Sequence, residues 1–363
     1  GRPFESFNAH VEKSLLRKDA GGVMDLLDGR PGELARRLDH LARLGVDAGA
    51  VVARFAGRAD KVSTPVLLQV LTHFRRRDEP TDLRTFFPKG AIAKVYAIPG
   101  SLPALPAGVA AELSAVCERT LLDRFSKRSP LGRCYLDERL KNYLVPFSQR
   151  SASKTLRTLV RGSRLPLPAC TTLRFFVWWK NGKSCADIDL SAAMYDADFG
   201  YIRTLAYYNL KDIGAHHSGD IVDAPKGAAE FIDVDVEKCL ASKVRYVVMC
   251  LNSFTQQPYC DLPECFAGWM AREKPGSGEI FEPKTVVDKV DVASDTKMCL
   301  PAIFDLVNGE VVWADVALTG SPRFSNNVHN NLRGVSLMLR ALTQLRKTDL
   351  HTLFALHIQA RGK

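Results

Sequence analysis

The spacing of apolar residues changes once along this 363-residue chain, and that change limits the folds open to it. Before about residue 146 apolar side chains recur at helical intervals, and beyond Pro166 and Pro168 they alternate with polar ones. Pro146, Gly162, Pro166 and Pro168 bracket the transition. A period of 3.6 puts one stripe of a helix in a core, and a period of 2 puts one face of a strand there. The chain therefore reads as an α+β multidomain protein. A mainly helical domain spans residues 1–165, an antiparallel β-sandwich spans 166–320, and a polar linker with a C-terminal helix spans 321–363.

In the first part Phe7, Val11, Leu15 and Leu16 share a helical face, as do Leu34, Leu38, Leu41 and Leu44 after Pro31. Ser63 or Thr64 is placed to cap a helix that opens with Pro65 and carries Val66, Leu67, Val70, Leu71 and Phe74. It ends in Arg75, Arg76 and Arg77, which complement the partial negative charge of the last carbonyls. Residues 85–101 read as a short hairpin or ordered loop, 107–128 as a long helix, and 152–160 as a short basic helix capped by Ser151.

In the second part Leu173 to Lys180 is an aromatic strand. Next, Ile188, Leu190, Ala192 and Met194 alternate with Asp187, Asp189, Ser191 and Ala193, and Ile232, Val234 and Val236 alternate with Asp233, Asp235 and Glu237. Further strands are expected at 203–209, 245–254 and 266–273, and a hairpin at 304–313 turns on Asn308-Gly309. About eight strands without a long helix between them indicate a sandwich of half-solvated sheets rather than a βαβ array. Asn326, Asn327, Asn330 and Asn331 then mark a polar stretch before a helix at 335–345.

Charge is distributed unevenly. Residues 1–165 hold about 29 Lys and Arg against about 17 Asp and Glu, whereas the remainder holds about 21 against about 23. The basic part suits an acidic protein or nucleic acid as partner. Arg150, Lys154, Arg157, Arg161 and Arg164, with Ser148, Ser151 and Ser153, form the densest candidate polyanion-binding segment. Phe147 is its sole ring, which argues against base stacking. The nine cysteines lack zinc-site spacing and are expected to be reduced. No run of about 18 apolar residues occurs, and Gly1–Phe4 lacks the order of a signal peptide, so a cytoplasmic protein without membrane insertion is expected. Phosphate-loop, dinucleotide, HExxH and nucleophile-elbow motifs are all missing.

Two acidic segments carry the chemistry. Asp187 and Asp189 stand two residues apart, and a loop running from His216 to Asp235 holds Asp220, Asp223 and Glu230 among glycines. Calcium takes roughly six to eight oxygen ligands, which carboxylates and backbone carbonyls of such a loop supply. His216, His217, Ser218 and Asp220 superficially offer a nucleophile, base and carboxylate, but neighbours in one loop do not reach relay geometry.

The order WWKNGKSCADIDLSAAMYD, YYN, HHSGD, an acidic strand and RYVVMCLNSF resembles the tellurium-resistance TerD family over about residues 166–320. That resemblance implies a calcium-binding β-sandwich associated with bacterial stress response. It points to Asp187, Asp189, Asp220, Asp223 and Glu230 as metal ligands, with Asp233 as a further, more remote candidate. This sequence departs from the family pattern at Ile221, at Pro225 and Lys226 within the glycines, and at Ala228 and Ala229, where two Asp would stand. Fewer carboxylates and a nearby cation predict a degenerate calcium site. The expected function is a stress-associated binding or scaffold protein and not an enzyme. RNA binding through the basic domain and a metal-dependent hydrolase are the rivals.

Overall fold

The computed structural model describes residues 6–44, 47–79, 83–86, 96–147, 153–155, 159–317, 332–345 and 347–362. It resolves into two compact units whose limits differ from the segments expected. One unit comprises residues 1–82, 100–147 and 346–363, and the other 83–99 and 148–345.

The first unit is helical. It contains α1 (Phe7–Leu16), α2 (Ala20–Leu27), α3 (Pro31–Ala42), α4 (Ala48–Ala56), α5 (Thr64–Arg75), α6 (Val109–Ser126) and α9 (Leu350–Arg361). Ser6, Asp19, Asp47 and Asp349 each accept an amide of the first helical turn, satisfying donors that have no partner within the helix. Val11, Leu27, Leu34, Leu38, Phe55, Leu67, Leu71, Leu113 and Phe125 converge in one apolar core, and Leu356 of α9 completes it. The His357 ring stacks on Phe125 at 3.8 Å. Thr348, just before α9, hydrogen-bonds Leu68 O through its hydroxyl. This last helix was not expected, because its apolar residues are interrupted by His351, Thr352 and His357.

The three arginines after α5 do more than complement a helix end. Arg75 pairs with Glu118, Arg76 with Glu79, and Arg77, only 5% exposed, with Asp39 of α3. Asp39 also accepts from Arg43 and His73. Burial raises the Asp39 pKa, but those three donors outweigh it and hold the carboxyl well below its usual range.

The second unit is the sandwich. Its strands are β1 (Leu83–Phe86), β2 (Tyr96–Pro99), β3 (Ser153–Thr155), β4 (Arg164–Pro166), β5 (Thr172–Lys180), β6 (Ile188–Tyr195), β7 (Tyr201–Leu205), β8 (Lys211–Asp212), β9 (Ala215–His217), β10 (Ala228–Asp235), β11 (Tyr246–Ser253), β12 (Glu264–Arg272), β13 (Val286–Val292), β14 (Met298–Asp305) and β15 (Glu310–Ala317), with helices α7 (Val236–Ala241) and α8 (Leu332–Thr343). β1 and β2 form the small hairpin. The others make an antiparallel sheet in the order β3-β13-β12-β5-β10-β9-β8 and a second in the order β4-β15-β14-β11-β6-β7. Phe175 and Trp269 of the first meet Phe304 of the second, with ring centroids 4.3 and 5.4 Å apart.

Three expectations are corrected or refined here. Residues 153–155 form a strand, β3, paired with β13, where a basic helix was expected, and Ser151, its expected cap, lies outside the described residues. The hairpin expected at 304–313 is present as β14 and β15, its turn has positive φ at Gly309 alone, and Asp305 Oδ1 holds it by accepting the amides of Val307 and Asn308. Most informative is β6, expected to have a solvated face but buried at every position. Val335, Met338, Leu339 and Leu342 of α8 form a stripe at helical spacing against Ala193, Tyr195, Val248 and Ile303, so the outer face of that sheet is covered. The polar residues of 321–331 lie outside the described residues, and what was expected as one C-terminal helix is two, one in each unit.

Candidate metal centre

Alternation along β6 puts Asp189 on the same face as Ser191, Ala193 and Tyr195, and Asp187 lies two residues before Asp189. β11 fixes the register by pairing Asn252 with Asp189, and Asn252 Nδ2 donates to Asp189 Oδ2 at 3.0 Å. The Asp187 backbone is tied at both groups, since its N–H donates to Thr255 Oγ1 and its carbonyl accepts from Phe254 N. Asp220 comes from the loop between β9 and β10, where Gly219 has a φ of +114°. The three carboxylates converge, each offering an oxygen within 4.8 Å of the others.

Asp187 is 6% exposed and Asp189 is 7% exposed, whereas Asp220 faces solvent. Asp187 Oδ1 is buried and meets no hydrogen-bond donor. Among the described residues no Lys, Arg or His forms an ion pair with any of the three. Burial, reinforced by the negative charge of Asp189 and Asp220, pushes the Asp187 carboxyl up to about 7. Burial raises Asp189 to about 6, partly opposed by the Asn252 hydrogen bond. Burial and the neighbouring negative charge thus disfavour the ionised forms of Asp187 and Asp189. A divalent ion would reverse that preference, and an all-oxygen donor set suits a hard cation such as calcium.

The other two expected ligands stand apart from this group. Asp223 accepts from Asn181 Nδ2 at 2.7 Å, and hydrogen bonds from Asn181 and Cys185 lower its pKa. Glu230 of β10 is fully buried behind the carboxylates, and both its oxygens are used: Leu190 N donates to Oε2 at 2.9 Å and Ile221 N to Oε1 at 3.0 Å. Burial pushes its carboxyl up to about 8, although those two amides pull the other way. Asp233 is bound to the buried Arg174 guanidinium, and Asp235 caps α7. Gly227 has φ +94°, and a Cβ there would lie 2.3 Å from the Trp178 ring, so the loop passes where only glycine fits.

His217 is the residue that motif searching undervalued. Its Nδ1 accepts from Gly219 N at 3.1 Å and its Nε2 lies 2.9 Å from Leu190 O, which assigns the proton to Nε2 of a neutral ring. Burial lowers its pKa in keeping with that tautomer. The usable sequence signal is the alternation opposite Ile232, which turns His217 inward.

Two cations of the expected polyanion segment are engaged within the fold. Arg161 Nε donates to the carbonyls of Ala314 and Asp315, and Arg164 pairs with Glu310 and donates to Thr343 O. Lys154 lies in β3 opposite Asp291, while Arg150 and Arg157 lie outside the described residues. Two of the five expected cations are thus engaged within their own unit. Of the nine cysteines, five are buried and Cys134, Cys185 and Cys260 are exposed, and none is in a disulfide. No helix among the described residues is long and apolar enough to cross a membrane.

No family model matches the chain, and no curated protein does. Among solved structures, the chain is similar to a protein of unknown function at 14% identity, over 43% of this chain and 94% of that one, with a TM-score of 0.34. It is also similar to a homologue of the telluride resistance protein TerD from Streptomyces coelicolor A3(2). That match is 12% identical over 45% of this chain and 96% of the other, with a TM-score of 0.35. At these values the chemistry rests on the site's own geometry.

Proposed function

We propose that the sandwich is a calcium-binding module in a binding or scaffold protein, with Asp187, Asp189 and Asp220 holding the ion. The observation that carries this reading is Asp187 Oδ1, buried without a donor beside two further carboxylates. An oxygen in that position costs roughly 1–3 kcal/mol unless a partner satisfies it. A divalent cation satisfies it and offsets the repulsion among the three groups. When bound, calcium supplies a fixed positive charge, and protein residues contribute only the cradle.

A catalytic reading has less support, because His217, the buried imidazole of the same loop, has both ring nitrogens occupied. Polyanion binding through the 150–164 segment is weakened by the engagement of Arg161 and Arg164. The test is a calorimetric calcium titration of the full chain and of an Asp187→Asn, Asp220→Asn double variant. Saturable binding by the first and none by the second supports the module. No heat from either at millimolar calcium removes it.

A further inference from the structure

We infer that Glu230 and His217 are not ligands but positioning residues, which together lock the strand bearing Asp189 to the loop bearing Asp220. This inference rests on the calcium reading and goes beyond it by dividing the acidic residues between two roles.

The need for a lock arises from the sheet. β7 runs beside β6 only as far as the Ala192–Leu205 pair, so Leu190 receives no strand partner from β7. Its backbone groups are nevertheless both satisfied, the N–H by Glu230 Oε2 and the carbonyl by His217 Nε2, each at 2.9 Å. Both side chains come from the opposite sheet and are fully or almost fully buried. They point inward from neighbouring strands, because His217 pairs with Ile232 and alternation puts Glu230 on the same face as Ile232.

The far ends of the same side chains grip the metal loop. Glu230 Oε1 accepts the Ile221 amide and His217 Nδ1 accepts the Gly219 amide. These two amides flank Asp220, just as Leu190 adjoins Asp189. Four hydrogen bonds therefore connect Leu190, next to one carboxylate, with Gly219 and Ile221, the residues on both sides of another. Each Glu230 oxygen is turned to a backbone amide, and Glu230 is not among the carboxylates that converge. Partners of this kind, behind the ligands, typically change metal affinity by roughly ten- to a hundredfold when removed.

A lanthanide experiment separates a strut from a ligand. Europium, a hard trivalent ion that takes oxygen ligands, is bound to the full chain, and the ratio of its luminescence lifetimes in H2O and D2O counts the waters on the ion. Glu230→Gln keeps the shape of the side chain but turns an amino group toward one of the two amides. The expected result is an affinity about ten- to a hundredfold weaker with an unchanged water count. Asp189→Asn, in contrast, raises the water count or abolishes binding. A Glu230→Gln protein with wild-type affinity, or one with an additional bound water, overturns the inference while leaving the calcium site in place. Failure of the wild-type chain to bind europium or calcium removes both readings. If Glu230→Gln does not fold, His217→Gln carries the same expectations through the Leu190 carbonyl and the Gly219 amide.

Discussion

Asp39 in the helical unit and Asp187 in the sandwich are the same residue in opposite surroundings. Asp39 stands among Arg43, His73 and Arg77, and its carboxyl is held low. Asp187 stands among other carboxylates, with one oxygen unpartnered, and its carboxyl is pushed up to about 7. The first is electrostatically complete as folded. The second has one oxygen that no donor of the chain satisfies, and that contrast, more than the number of acids, is what singles out Asp187 as a candidate ligand.

The comparison can be broken most forcefully at Asp39. Asp39→Ala leaves the nearly buried Arg77 without its carboxylate, and the helical unit should lose about 3 kcal/mol in urea denaturation. A loss no larger than that of an exposed-site control would refute the central role given to this pair. Because the Asp39 pKa is depressed, its contribution is present above the ordinary carboxylate value of 3.8 and disappears as pH falls below it.

Calcium is the next largest lever. At free calcium a hundredfold above Kd, binding to the folded state alone stabilises the sandwich by about 2.7 kcal/mol, seen as a higher melting temperature that the double Asp187→Asn, Asp220→Asn variant lacks. A third measurement concerns Arg161. Arg161→Ala strips donors from the Ala314 and Asp315 carbonyls and should cost roughly 1–2 kcal/mol without changing the salt dependence of polyanion binding. A shallower salt slope in filter binding would return Arg161 to the polyanion set.

The smallest effect has the most informative sign. In the absence of divalent ions Asp187→Asn should raise sandwich stability by on the order of 1 kcal/mol near pH 8, whereas Asp39→Ala lowers that of its unit. The folded pKa values of Asp187, Asp189 and Glu230 are raised to about 7, 6 and 8, so the folded state binds more protons than the unfolded one between roughly pH 4 and 8. Stability without cation therefore falls as pH rises through that window, opposite to the Asp39 trend, and chelator-treated melting curves at pH 5 and pH 8 check it. Equal melting temperatures at both would contradict the buried-carboxylate picture.

Much of this was legible from residue spacing. The stripes of α3 and α5, the strand at 172–180 and the acidic pair of 187 and 189 followed from period and from the prolines that open both helices, whereas the side-chain cap expected from Ser63 or Thr64 is not formed, since Ser63 stands at the N-cap without a side-chain hydrogen bond. What spacing could not convey was the second covering of a sheet. Alternation in β6 looks the same whether the outer face meets water or α8, which is more than 130 residues away in sequence. Glu230 and His217 were hidden for a related reason. Their partners are backbone groups of Leu190, Gly219 and Ile221, which any residue carries and no motif reports. The short strand β3 was misread because three residues paired at a sheet edge leave too little period to outweigh the helix-like spacing of Lys154 and Arg157.

The helical unit is completed by α9, and this has a consequence for how the protein is made. Its first segments end at residue 147, and Leu356, which fills their core, is read from the message about 200 residues later. At a translation rate of about 5–20 residues per second, the opening helices wait on the order of ten seconds or more for their last packing partner. The sandwich, contained almost wholly within residues 148–345, is in a position to mature first. The opening helices would thus remain without their last packing partner while the sandwich forms.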